Sequence, residues 1–170
     1  MKEQVPHDAP EPRGQAVELT AFVDSDHAGD TVTRRSRTGI FSFVQNSSII
    51  WFSKKQTSIE TSSFGSEFFA VKTAVEMVEG LRHKLRMMGV PINGPCNVKA
   101  NNMCMVTNSS VPDSRLKKKS NLIAFCCVRE RAATGAVTIN CEPTDTNIAD
   151  MLTKTQSGAV RKRLAGFILH

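Results

Sequence analysis

Residues 17–30 read VELTAFVDSDHAGD, an apolar, β-prone run that ends abruptly in carboxylates. Branched and aromatic side chains of this kind favour a pleated, half-buried strand. Asp24 stands at its end, Asp26 lies two residues on and shares its face by the strand period, and Asp30 falls in the loop beyond. In open α/β sheets, reactive groups gather outside the carboxyl ends of central strands. What the chain does after Asp24 therefore decides both the fold and the place of any chemistry.

Outward from that strand comes AGDTVTRRSRTG, a polar loop with glycine near both ends. IFSFVQ and SIIWFSK follow as two further strands, with the hairpin-turn composition NSS between them. Together they predict a three-stranded antiparallel meander, with Trp51 beside Ile49 and Ile50 as core rather than a base-stacking platform. The period then changes. Phe64, Phe68, Val71, Val75, Val78, Leu81, Leu85 and Met88 recur at threes and fours, which predicts an amphipathic helix, or two with a bend near Gly80. Gly89 and Pro91 close it. NVKA is a fourth strand, NNMCMVTNSS a marginal helix, and DSRLKKKSNLIAFCCVRERAATG a helix closed by Gly135. AVTINCE is a fifth strand, TNIADMLTKT a helix capped by Thr146 or Asn147, and GAVRKRLAGFIL a last helix. The core order β-β-β-α-β-α-β-α specifies an α/β fold, a mixed five-stranded sheet with helices on its faces.

Composition narrows the function classes. A length of 170 residues fits one domain with a real core. Residues 1–16, with three prolines and no periodicity, read as a disordered arm or linker, leaving 17–170 as the domain. No run approaches the roughly 18 apolar residues of a membrane span. The polar start lacks a signal segment, and five irregularly placed cysteines make neither a disulfide framework nor a zinc site. A reduced, intracellular monomer is expected, with no membrane partner. The formal charge is +6, and the basic residues cluster at Arg34, Arg35 and Arg37, at Lys54 and Lys55, at Lys117, Lys118 and Lys119, and at Arg161 to Arg163. Such clusters suit a phosphate backbone, and equally a solvated face.

Two further acids draw attention. Glu67 sits in the first turns of the long helix between Ser66 and Phe68, and Asp150 lies between Ala149 and Met151. Asp24, Glu67 and Asp150 come from separate elements and could converge on divalent cations, as a two-metal phosphodiesterase centre requires. Read singly, Asp24 is also a turn aspartate, and the other two are also partners for a helix N-terminal dipole.

The motifs in order resemble the ribonuclease H domain that ends the Pol polyprotein of copia-type LTR retrotransposons. The resemblance covers roughly Phe22 to Lys154. FVDSDHAGD is similar to the family's opening Asp-x-Asp-x-Ala-Gly strand end. TRRSRTGIFSFVQNSSIIWFSKKQTSIETSSFGSEFFA carries its Arg-rich loop, Trp-x-Ser-Lys-Lys-Gln strand and Ser-Ser-x-x-x-Glu helix start, and NIADMLTK its closing Ala-Asp-x-x-Thr-Lys. The resemblance implies a ribonuclease H-like fold, a bound RNA/DNA hybrid, an adjoining reverse transcriptase domain, and two Mg2+ ions, with Mn2+ as a possible substitute. Its Asp-Glu-Asp-Asp set falls on Asp24, Glu67, Asn101 and Asp150, so an amide stands where the third carboxylate belongs.

An amide has the shape of a carboxylate but no charge, and half its head is a donor. Loss of one such group costs about 10²–10³ in rate, so cleavage is expected to be weak or absent. Asn121 and Cys126 stand where the family commonly has histidines, with Cys126 read as a small core residue. Thr155 and Gln156 replace its usual Pro-Leu. Arg34, Arg35, Lys54, Lys55 and Lys117 to Lys119 are the expected phosphate contacts. A non-catalytic nucleic-acid-binding module and an unused relic are the alternative readings.

Overall fold

The structure, a computed structural model, describes residues 7–101 and 122–168. In chain order it has β1 (Leu19–Asp26), β2 (Arg37–Val44), β3 (Ser47–Lys55), α1 (Ser63–Met87), β4 (Cys96–Ala100), α2 (Leu122–Ala133), β5 (Val137–Cys141), α3 (Asp150–Thr153) and α4 (Gly158–Ala165). The five strands form one sheet in the order β3-β2-β1-β4-β5. The β1–β2 and β2–β3 pairs are antiparallel, whereas β4 runs parallel to both β1 and β5. This is the mixed α/β sheet that the sequence predicts. No helix among the described residues is long and apolar enough to cross a membrane.

The period-two pattern of β1 divides the core. Leu19, Ala21 and Val23 are buried with Phe68, Val71, Val75 and Val78 of α1. Phe41 and Phe43 pack on the other face with Ile148 and Leu164, and Phe22 joins them edge-on to Phe43 at 5.8 Å. Each large side chain withdrawn in this way is worth about 1.5–3 kcal/mol. The Ser62 hydroxyl accepts from Gly65 N–H at the start of α1, and Gly89, with φ of 72°, ends it. The helix continues without a break through exposed Gly80.

Residues 7–16 hold no helix or strand, but Arg13 N–H donates to Gly89 O at 2.9 Å and Val17 bridges to Ile92. The hairpin turn between β2 and β3 is Gln45-Asn46 rather than Asn-Ser-Ser, with Gln45 at φ of 54°.

Three further expectations need correction. Trp51 is 70 % exposed. It lies on edge strand β3 opposite Phe41, beyond the cover that the C-terminal helices give Phe41 and Phe43. Cys126 is exposed, because α2 buries Phe125 and Val128 instead. The helix expected to start at Thr146 or Asn147 begins only at Asp150 and is a single turn. Asn147 is wholly buried and serves two other groups: its Nδ2 donates to Val23 O at 2.9 Å, and its Oδ1 accepts from Ala149 N–H at 3.1 Å. That pair of bonds anchors the turn on β1. The sequence's marginal helix, together with Lys117, Lys118, Lys119 and Asn121, lies outside the described residues.

Candidate nucleic-acid site at the strand ends

Parallel registry sets the site. Val23 lies opposite Ala100, the last pair between β1 and β4, so Asp24 and Asn101 lie side by side just past it. Beyond that pair β1 runs on to Asp26 beside β2 rather than ending at Asp24 as expected. The β1–β4 pair is the reversal point of the strand order, where open α/β sheets leave a crevice. Asn101 Nδ2 donates to Asp24 Oδ1 at 3.1 Å. Glu67, half-buried on α1, borders the same crevice with Val23, Ser25, Ala70 and Val71. The Ser25 hydroxyl donates to the Ser66 hydroxyl at 3.2 Å, tying α1 to β1 there.

The single turn α3 brings the last carboxylate. It can lie close because Gly39, opposite Asp24 on β2, has no side chain: a Cβ there would stand 2.7 Å from Thr153 Cγ2 and 2.8 Å from Ala149 O. Asp150 is 4 % exposed and Asp24 is 2 % exposed. Burial, and then the neighbouring Asp24 charge, push the Asp150 carboxyl up to about 6. Between the two acids lies Lys154. Its Nζ is 3.1 Å from Asp150 Oδ1, 3.3 Å from Asp24 Oδ1 and 3.2 Å from Asp24 Oδ2. Burial works against the ammonium, but the Asp24 and Asp150 charges outweigh it and hold Lys154 above its ordinary range. Thr153 Oγ completes the set by donating to Asp24 Oδ2.

As arranged, these donors do not fit a two-metal centre. Asp24 already accepts from an amide, a hydroxyl and an ammonium. Among the described residues, no three His, Cys, Asp or Glu side chains cluster so as to hold a metal ion. Of the expected ligands, the structure joins Asp24, Asn101 and Asp150 in one bonded group with Lys154, and Glu67 lines the same crevice as Asp24 and Asn101.

The basic residues divide. Exposed Arg34 and Arg35 lie in the loop before β2, Arg34 with φ of 55°. Arg35, Arg37 and Lys55 line a polar groove with Asp26, Asp30 and Thr153, so the groove adjoins the acidic group through Thr153. Lys55 is ion-paired with Asp30, which also accepts from Val32 and Thr33 N–H at 3.1 and 2.7 Å. Those contacts hold the Asp30 carboxyl well below the usual range and commit it to the loop rather than to Asp24. Lys54 lies at a second crevice with Phe52, Gln56 and Phe69.

Sequence reasoning missed Lys154, Thr153, Asn147 and Gly39 as builders of the site. The first three lie within NIADMLTK, the motif that carried the resemblance. Their closeness in sequence to Asp150 was the available signal.

The strand order β3-β2-β1-β4-β5, with β2 antiparallel and β4 parallel to β1, is a ribonuclease H-like fold. LC11-RNase H1, solved in complex with an RNA/DNA hybrid, superposes with a TM-score of 0.62 at 15 % identity, over 80 % of this chain and 94 % of that one. The foamy viral protease-reverse transcriptase, also solved with an RNA/DNA hybrid, matches 90 % of this chain and 22 % of that one, with a TM-score of 0.53 at 16 % identity. At these identities the likeness is one of fold. In sequence, the chain is similar to the retrovirus-related Pol polyprotein from transposon RE2 of Arabidopsis thaliana, 26 % identical over 145 residues, which is 85 % of this chain and 10 % of the polyprotein. The chain thus has a ribonuclease H-like fold and is similar in sequence to a part of the retrovirus-related Pol polyproteins from transposons RE1 and RE2. It spans about a tenth of the length of the curated relatives it matches. No protein-family model matches the chain.

Proposed function

We propose that this domain grips RNA/DNA hybrid as the ribonuclease H portion of a reverse-transcription machinery, and that its hydrolytic activity is lost or weak. The observation that carries the reading is Asn101 Nδ2 at 3.1 Å from Asp24 Oδ1. A carboxylate there would add a negative charge beside Asp24, whereas the amide contributes a donor that satisfies it. The position at the strand ends, the fold shared with a hybrid-bound ribonuclease H, and the Arg35–Arg37–Lys55 groove beside the acids support hybrid as the ligand. The Pol relatives and the foamy viral likeness support a reverse transcriptase domain as neighbour. Mg2+ and Mn2+ are the ions with which to probe residual cleavage.

The test is cleavage of an end-labelled hybrid by wild type and Asn101→Asp, each in Mg2+ and Mn2+. Cleavage by Asn101→Asp at least about 10²-fold above wild type is expected. Equal cleavage by both would refute the loss of activity. Failure of both to bind hybrid would refute the function altogether.

A further inference from the structure

The acidic group contains its own cation. We propose that Lys154 is the resident counter-ion of this centre, so that the domain stands assembled without a divalent metal and any such ion must displace the lysine to enter. The inference rests on reading Asp24 and Asp150 as the ribonuclease H acids.

Three observations carry it. Lys154 Nζ lies within 3.3 Å of both Asp24 oxygens and 3.1 Å from Asp150, which is the position a cation shared by the two acids would take. The chain delivers it there by local geometry: Lys154 is four residues after Asp150, and its N–H donates to Asp150 O at 3.0 Å as the turn closes. Finally, Asp24 is heavily engaged: it accepts hydrogen bonds from Asn101, Thr153 and Lys154, and its second oxygen also lies at ion-pair distance from the same ammonium. Two buried carboxylates without a partner would be costly, and the ammonium meets that need before any ion arrives. Replacing Lys154 by a neutral side chain removes the cation between the two acids and makes the same space attractive to a divalent ion.

The experiment reads metal binding and melting, with no nucleic acid present. Free Mn2+ is followed by electron paramagnetic resonance, and melting is recorded in EDTA and in MnCl2, for wild type, Lys154→Met and Lys154→Arg. Wild type and Lys154→Arg should bind Mn2+ weakly and melt within about 1 °C of their EDTA value. Lys154→Met should bind it at least about tenfold more tightly and alone gain several degrees on adding it. Wild type binding Mn2+ as tightly as Lys154→Met, or with a dissociation constant below about 0.1 mM, would overturn the proposal. If Lys154→Met does not fold in EDTA, Mn2+ must restore its cooperative melting, and failure to do so also counts against it. Hybrid binding is absent from these readouts, so a domain that binds no hybrid but behaves this way overturns the functional reading and leaves Lys154 in place.

Discussion

At the scale of the residue, the centre is a contest between desolvation and pairing. Asp150 shows it best, because its carboxyl is held near 6 although an ammonium lies 3.1 Å away. The raised value means that the folded chain binds a proton more readily than the unfolded chain between about pH 4 and 6. The stability this group contributes is complete below the ordinary carboxyl value and declines as pH rises through the folded one. Asp150→Asn removes the titration while keeping the shape. The melting temperature of wild type should therefore fall relative to Asp150→Asn between about pH 4.5 and 7, by the equivalent of roughly 2 kcal/mol. Parallel profiles for the two proteins would show that Asp150 titrates normally.

At the scale of the element, the same chemistry has opposite effects in different places. Gly39 lets α3 lie on the sheet, and an added methyl would meet Thr153 and the Ala149 carbonyl within 2.8 Å. Gly39→Ala should cost about 1–3 kcal/mol by overpacking and push α3, with Asp150 and Lys154, away from Asp24. Exposed Gly80 lies in mid-helix, where an added methyl would have nothing within 4 Å, so Gly80→Ala should stabilise by up to about 1 kcal/mol. Urea denaturation of the two variants checks both signs: a Gly39→Ala that is no less stable than wild type would refute the account of α3, and a destabilised Gly80→Ala would refute that of α1. This contrast also marks what was legible in the sequence. The strands and α1 announce themselves because their periods repeat over many residues: Phe68, Val71, Val75 and Val78 all reach the core. One turn, α3, has no period to read, and only the local half of what Asn147 does, its bond from Ala149 N–H, is visible in sequence; its other partner, Val23 O, is 124 residues away. Trp51 misleads for a related reason. Its strand is apolar enough for the core, but only the sheet order reveals that β3 is an edge.

At the scale of the whole molecule, two buried acids with a partly exposed lysine over them sit within a chain of net charge +6. The charge therefore acts mainly from the periphery, and the positions of the basic residues predict unequal shares. Arg34 and Arg35 are exposed on the loop beside the site, and Lys54 borders a crevice at the other side of β3. Lys55 is already engaged by Asp30, so it has less charge to offer a phosphate. Removing one side chain that neutralises a phosphate should lower the steepness of log affinity against log salt by somewhat less than one unit. For hybrid binding measured in EDTA between about 50 and 200 mM KCl, Arg34→Ala/Arg35→Ala/Lys54→Ala together should reduce that slope by about 2–3, and Lys55→Ala alone by well under one. Because phosphate contacts position a duplex without reading it, the weakening should be the same for hybrids of unrelated sequence. An unchanged slope in the triple variant would move the binding surface to another face of the domain. A larger effect from Lys55 than from the other three would mean that the Asp30 pair opens when nucleic acid arrives.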